Sequence, residues 1–223
     1  MQTISKETFD FLKKLGNNNN RDWFTKNKPK YVLAKDNVSE FAEALMEELG
    51  KHDHIEKKKV FRIYRDVRFS KDKTPYKTNI GCSFTRATAK LRGGMYLNIE
   101  PGNTFIGGGF WGPNAQDLKR IRNEFLFNAD PFRKILNARK FKDYFGELGG
   151  EELKTAPKGF DKEHPNIDLI RKKQYLIGRN FTDREALSKG FLNECNLTFK
   201  AMRPFFDFMS ETLTTNENGE SII

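Results

Sequence analysis

The period of the apolar residues changes twice along this chain of 223 residues, and that change limits the folds open to it. Before Val60, hydrophobic side chains recur at helical spacing. Phe9, Leu12 and Leu15 share one stripe, and Tyr31, Ala34, Val38, Phe41, Leu45 and Leu49 share another. From Val60 the period is two. Phe61, Ile63, Val67 and Phe69 would line one side of a strand and Arg62, Tyr64, Asp66, Arg68 and Ser70 the other, with Arg65 alone interrupting the apolar side. Ile80, Cys82 and Phe84 alternate again as a return strand, and the turn signal Pro101-Gly102-Asn103 separates two more, Met95–Glu100 and Thr104–Trp111. After Asn114 the helical spacing returns through Leu118, Ile121 and Phe125. Strands joined in succession between helical ends predict an α+β fold: a central antiparallel meander, about residues 60–111, packed by N- and C-terminal helices.

Local punctuation sets the boundaries. Asn20 caps the second helix, Pro29 predicts a break before Tyr31, Gly50 ends the helix, and His52–Lys59 reads as a charged loop. Asp130-Pro131 starts another helix, and Tyr175–Phe181 reads as a short strand. Thr182-x-x-Glu185 resembles a capping box opening one long helix through Leu187, Phe191, Leu197 and Met202, which Pro204 should kink or end. The polar tail from Thr214 should fray. The 21 phenylalanines are spread along the whole chain and have no polar handle, so they must fill a core, and one domain over residues 1–223 accounts for them. No segment reads as a secretory signal or reaches the length of a membrane span. Cys82 and Cys195 lie far apart without a pairing pattern, which favours two buried thiols in a reducing, cytoplasmic setting over a disulfide or a metal site.

The charge is local. The chain carries a formal +10, yet residues 61–100 hold 9 Lys/Arg against 3 Asp/Glu. Within Phe61–Asn79, six basic residues and two aspartates crowd a short segment, and this is the candidate site. Arg62, Arg65, Arg68, Ser70, Lys71, Lys73, Tyr76 and Lys77 supply forked and point-charge donors suited to phosphate or carboxylate. In the competing reading, Asp66 and Asp72 neutralise these charges, so that the arginines brace a loop and the lysines are solvated. Arg65, on the apolar side, needs a carboxylate or carbonyl partner in either case. Gly107, Gly108 and Gly109 either let a ligand or neighbouring backbone approach closely, or form a bulge. Arg21 and Lys158 complete the candidate set. The run Gly107–Gly112 matches G-x-G-x-x-G, but a dinucleotide fold requires a returning parallel strand after the next helix, and the chain has a second helix start there instead.

An anionic small molecule is the partner this set favours. A nucleic acid is the alternative, with Tyr64 or Tyr76 available for stacking, and a protein partner on the same surface is a third reading. His52-Asp53-His54 lacks a third fixed ligand for a metal, and His164 before Pro165 reads as a loop brace. No nucleophile motif and no cofactor motif is present, and whether the chain catalyses a reaction stays open.

Four stretches together resemble a known family. They are N-N-R-x-W-F at Asn19–Phe24, R-x-Y-R-D-x-R-F-S-K-D-K-T-P-Y-K-T at Arg62–Thr78, G-G-G at Gly107–Gly109, and A-P-K-G-F at Ala156–Phe160 with His164-Pro165. The family is domain of unknown function 2461, found in bacteria and fungi, and the resemblance spans nearly the whole chain. It implies no activity, cofactor or catalytic residue.

Overall fold

The computed structural model describes residues 2–216 and 218–223. Among them eight helices and five strands run in the order α1 (Lys6–Asn17), α2 (Arg21–Gly50), β1 (Ile55–Val60), β2 (Ile80–Arg86), β3 (Gly94–Ile99), β4 (Thr104–Phe110), α3 (Ala115–Phe127), α4 (Asp130–Asn137), α5 (Arg139–Phe145), α6 (Ile167–Ile170), β5 (Tyr175–Phe181), α7 (Asp183–Ala186) and α8 (Phe191–Thr214). The strands form one antiparallel sheet in sequence order, a meander to which β5 adds the last strand, so the fold is α+β as expected. The chain divides into two compact units, residues 1–84, 96–106 and 180–197, and residues 85–95, 107–179 and 198–223.

In the first unit, α1 and α2 have the caps their sequence announces. Ser5 Oγ accepts from the Thr8 amide, and Asn20 Oδ1 accepts from the Trp23 amide. The predicted stripes are buried, with Val38, Phe41, Ala42, Leu45 and Leu49 fully so. Pro29 does not break α2. It stands on the solvent face, one turn after an exposed Thr25, whose carbonyl loses an intrahelical partner where water can replace it. Strand β1 occupies most of the tract that reads as a loop in the sequence. Its inward Lys58 hid the strand period, and that lysine is satisfied by Glu43 of α2 at 2.7 Å and by the Ser39 carbonyl at 3.3 Å.

The strand expected from Val60 to Ser70 is instead an irregular arm, residues 61–79, that continues the β1–β2 pairing. Phe61 N–H donates to Gly81 O, Lys77 N–H to Ile63 O and Arg65 N–H to Pro75 O, and one isolated antiparallel bridge joins Tyr64 to Tyr76. The alternation of the sequence survives to Val67 without a full ladder, because Asp66 and Asp72 take the Arg68 and Thr74 amides into local turns and Pro75 has no donor. Phe69 departs from its expected apolar side and is 97% exposed at the tip.

The second unit packs around phenylalanine. Phe132 lies against Phe125, Phe205 and Phe208 at 4.9–5.8 Å between ring centres, and Tyr175 adds to the cluster through Phe125. Asn114 caps α3 as expected. The Thr182 box is present but closes only the four-residue α7, and a new helix, α8, begins at Phe191. Helix α8 runs ten residues past Pro204, so that proline does not end it. In the tail, Ile222 N–H donates to Thr214 O, and an isolated bridge joins Thr215 to Ser221. Among the described residues no helix is long and apolar enough to cross a membrane.

Candidate functional site

The arm is clamped at its base by the segment that opens α2. Asn19 bonds both the carbonyl and the amide of Tyr76, and the Phe24 ring stacks on Tyr76 at 4.0 Å and 17°. Tyr64 and Tyr31 close the cluster with ring contacts of 5.3–6.5 Å. Tyr76 is thereby buried, and burial raises its phenol above the ordinary tyrosine range, with Tyr64 adding to the shift. It holds the arm and offers no free ring face to a ligand.

The arm's cations fall into two groups. Arg65, a quarter exposed, donates to Asp72 at 2.5 Å, to the Thr74 carbonyl at 3.2 Å and to the Thr74 hydroxyl, so it has the partners its position demanded. The Thr74 amide and then Arg65 hold the Asp72 carboxyl down at about 2. Arg68 grips Asp66 through two parallel bonds of 3.0 and 2.7 Å, which lower that carboxyl's pKa, and Lys73 donates to Val67 O at 3.0 Å. Ser70 turns back on Val67 through its amide. These residues shape the tip.

The second group is uncommitted. Among the described residues, the side chains of Arg21, Arg62, Lys71 and Lys77 make no hydrogen bond or ion pair, and neither does Lys59 at the end of β1. Lys59 and Lys77 stand over the same Phe61 ring, at 5.2 and 6.0 Å from its centre. Phe61 begins a row of partly exposed rings across the sheet, with Tyr96 at 6.1 Å and Phe105 a further 5.9 Å on. Tyr96 lies over Gly81, where a Cβ would fall 2.7 Å from its Cζ. Beside the row is a polar network. Asn79 donates to Asn98 at 2.5 Å, Asn98 to Glu100 at 3.2 Å, and Thr78 to Glu100 at 2.6 Å. All these residues belong to the first unit.

Gly107, Gly108, Gly109 and Lys158 belong to the second unit. A side chain at Gly108 would meet Met202 Sδ at 2.6 Å and Phe206 at 3.0 Å. At Gly109, with φ of 136°, it would overlap the Tyr175 carbonyl and lie 3.0 Å from Leu176 Cα. The space these two glycines leave is therefore taken by protein atoms, and they admit a helix and a neighbouring strand. Lys158 is exposed on a loop.

The remaining candidates have structural surroundings. His52 Nε2 and Asn196 Oδ1 lie 2.7 Å apart, and His164 Nδ1 accepts from the Asn166 amide. Among the described residues no group of three or more His, Cys, Asp or Glu could hold a metal ion. Cys82 and Cys195 are both buried, and burial pushes the Cys82 thiol up to about 12.

Sequence reasoning missed Lys59, which sits in the lysine tract that reads as a loop, and Tyr96 and Asn98 on β3, the latter buried. Their signal was there in the alternation of Tyr96, Asn98 and Glu100 with apolar Met95, Leu97 and Ile99.

The chain matches a family described as conserved hypothetical protein (DUF2461) over residues 7–208. No curated protein and no solved structure matches.

Proposed function

The chain belongs to the conserved hypothetical protein family DUF2461, and we propose that it binds a phosphorylated or carboxylated ligand at the base of its basic arm. The observation that carries this reading is the pair Lys59 and Lys77, two ammonium groups over one Phe61 ring with no carboxylate partner among the described residues. Neither charge is neutralised by a carboxylate, so an anion seated beside the ring gains from both ammonium groups. Arg65, Arg68 and Lys73 act indirectly, by fixing the tip. Two buried cysteine thiols fit a reducing compartment such as the cytoplasm.

Calorimetric titration with pyrophosphate and with citrate tests the reading. Lys59→Met and Lys77→Met should each weaken binding about tenfold or more, as expected for loss of a charge-assisted hydrogen bond. Lys158→Met should leave it unchanged. Equal affinity in wild type and both site variants would overturn the proposal.

A further inference from the structure

We propose that the arm is a clamp for single-stranded nucleic acid, with Phe69 and Tyr64 as its base-stacking residues. The inference rests on the anion-binding reading and names the class of its ligand. Two of the large hydrophobic side chains that this protein leaves exposed stand on one short arm, Phe69 at 97% and Tyr64 at 43%. Leaving a phenylalanine ring in water forgoes about 1.5–3 kcal/mol of burial, part of which a base stacked on the ring recovers.

The tip that carries Phe69 is internally braced. The Arg68–Asp66 fork, the Arg65–Asp72 pair and the Lys73 bond to Val67 O hold the residues on either side of it. The ring is thus presented on a pre-shaped loop, with Arg68 6.0 Å from its centre. The arm is cationic: the side chains of Arg62, Lys71 and Lys77 make no hydrogen bond or ion pair among the described residues, and Lys77 stands over the Phe61 ring.

Interleaved aromatic faces and free cations are what a phosphate-linked chain of bases requires. The phosphates take the lysine and arginine charges, and each unpaired base offers a face to a ring whatever its sequence. A duplex keeps its bases stacked on each other and cannot use Phe69 or Tyr64 in this way. Charge complementarity and the pairing of rings with cations therefore favour a single strand over an apolar protein groove or a bilayer. Tyr76, buried under Phe24, takes no part in stacking.

The test is fluorescence anisotropy with labelled oligothymidylate of about 20 nucleotides, longer than the roughly 4–16 that one single-strand module covers. Wild type should bind it more tightly than a duplex of the same length, with a log–log salt slope near about −2 if Arg62, Lys71 and Lys77 each neutralise a phosphate. Phe69→Ala should weaken oligothymidylate binding by about 5- to 150-fold while leaving pyrophosphate affinity and melting temperature unchanged. Phe69→Trp should retain binding, and its fluorescence should be quenched by the oligonucleotide. The inference fails if Phe69→Ala binds oligothymidylate as wild type does, if the duplex binds equally well, or if Phe69→Ala lowers only binding to phosphatidylserine vesicles. Pyrophosphate binding that depends on Lys77, without oligothymidylate binding, would overturn the inference and leave the anion reading standing; absence of both would remove both.

Discussion

Asn19 grips the backbone of Tyr76 on both sides, donating from Nδ2 to its carbonyl at 2.8 Å and accepting its amide at Oδ1 at 3.1 Å. The two residues are 57 positions apart in the chain, and the pair ties the start of α2 to the returning limb of the basic arm. It explains why the asparagine-rich turn and the Thr74-Pro75-Tyr76-Lys77 segment belong to one structural unit although the sequence separates them.

Removing that grip should loosen the arm before it unfolds the protein. Asn19→Ala deletes two hydrogen bonds that each contribute about 0.5–1.5 kcal/mol, so urea denaturation should show a loss of about 1–3 kcal/mol. Trypsin should cut at Lys71 and Lys73 faster than in wild type. An unchanged cleavage rate would mean that Phe24 stacking alone holds Tyr76.

The tip should respond to acid through Asp72. Its folded pKa, about 2, lies below the value of an unfolded aspartate, so its contribution is fully present above about pH 4 and is lost as pH falls through about 2. Asp66, lowered by Arg68, acts in the same direction. Carbon-detected NMR titration of the Asp72 carboxyl should show this depressed midpoint, and Arg65→Met should raise it. A midpoint near the ordinary aspartate value of about 4 in wild type would contradict the bracing geometry.

Gly109 should be less replaceable than Gly108. Gly109→Ala forces a side chain into a backbone conformation that costs about 1–3 kcal/mol by itself, and the added Cβ meets the rigid Tyr175 carbonyl. Gly108→Ala meets the flexible thioether of Met202 and should cost less, about 1 kcal/mol. Thermal melts of the two variants measure the order, and a Gly108 variant less stable than the Gly109 variant would contradict it.

Much of the fold was legible because it rests on local rules. The stripe Val38–Phe41–Leu45–Leu49, the caps at Asn20 and Asn114 and the Thr182 box each need only neighbours in sequence. What escaped depends on distant partners. Lys58 sits inward on β1 because Glu43 of α2 receives it, and Pro29 stays helical because water reaches Thr25. The position of the site was legible from the crowding of charge at Phe61–Asn79. The division of its cations was not, since nothing local says that Asp72 serves Arg65, or that Lys59 comes to share the Phe61 ring with Lys77.

The most direct test is to locate the anion itself, in crystals grown or soaked with pyrophosphate. The expected result is density for pyrophosphate beside the Phe61 ring, with its oxygens within hydrogen-bond distance of Lys59 Nζ and Lys77 Nζ. Saturating pyrophosphate that leaves these two ammonium groups pointing apart into solvent, or that binds away from Phe61, would contradict the proposed site.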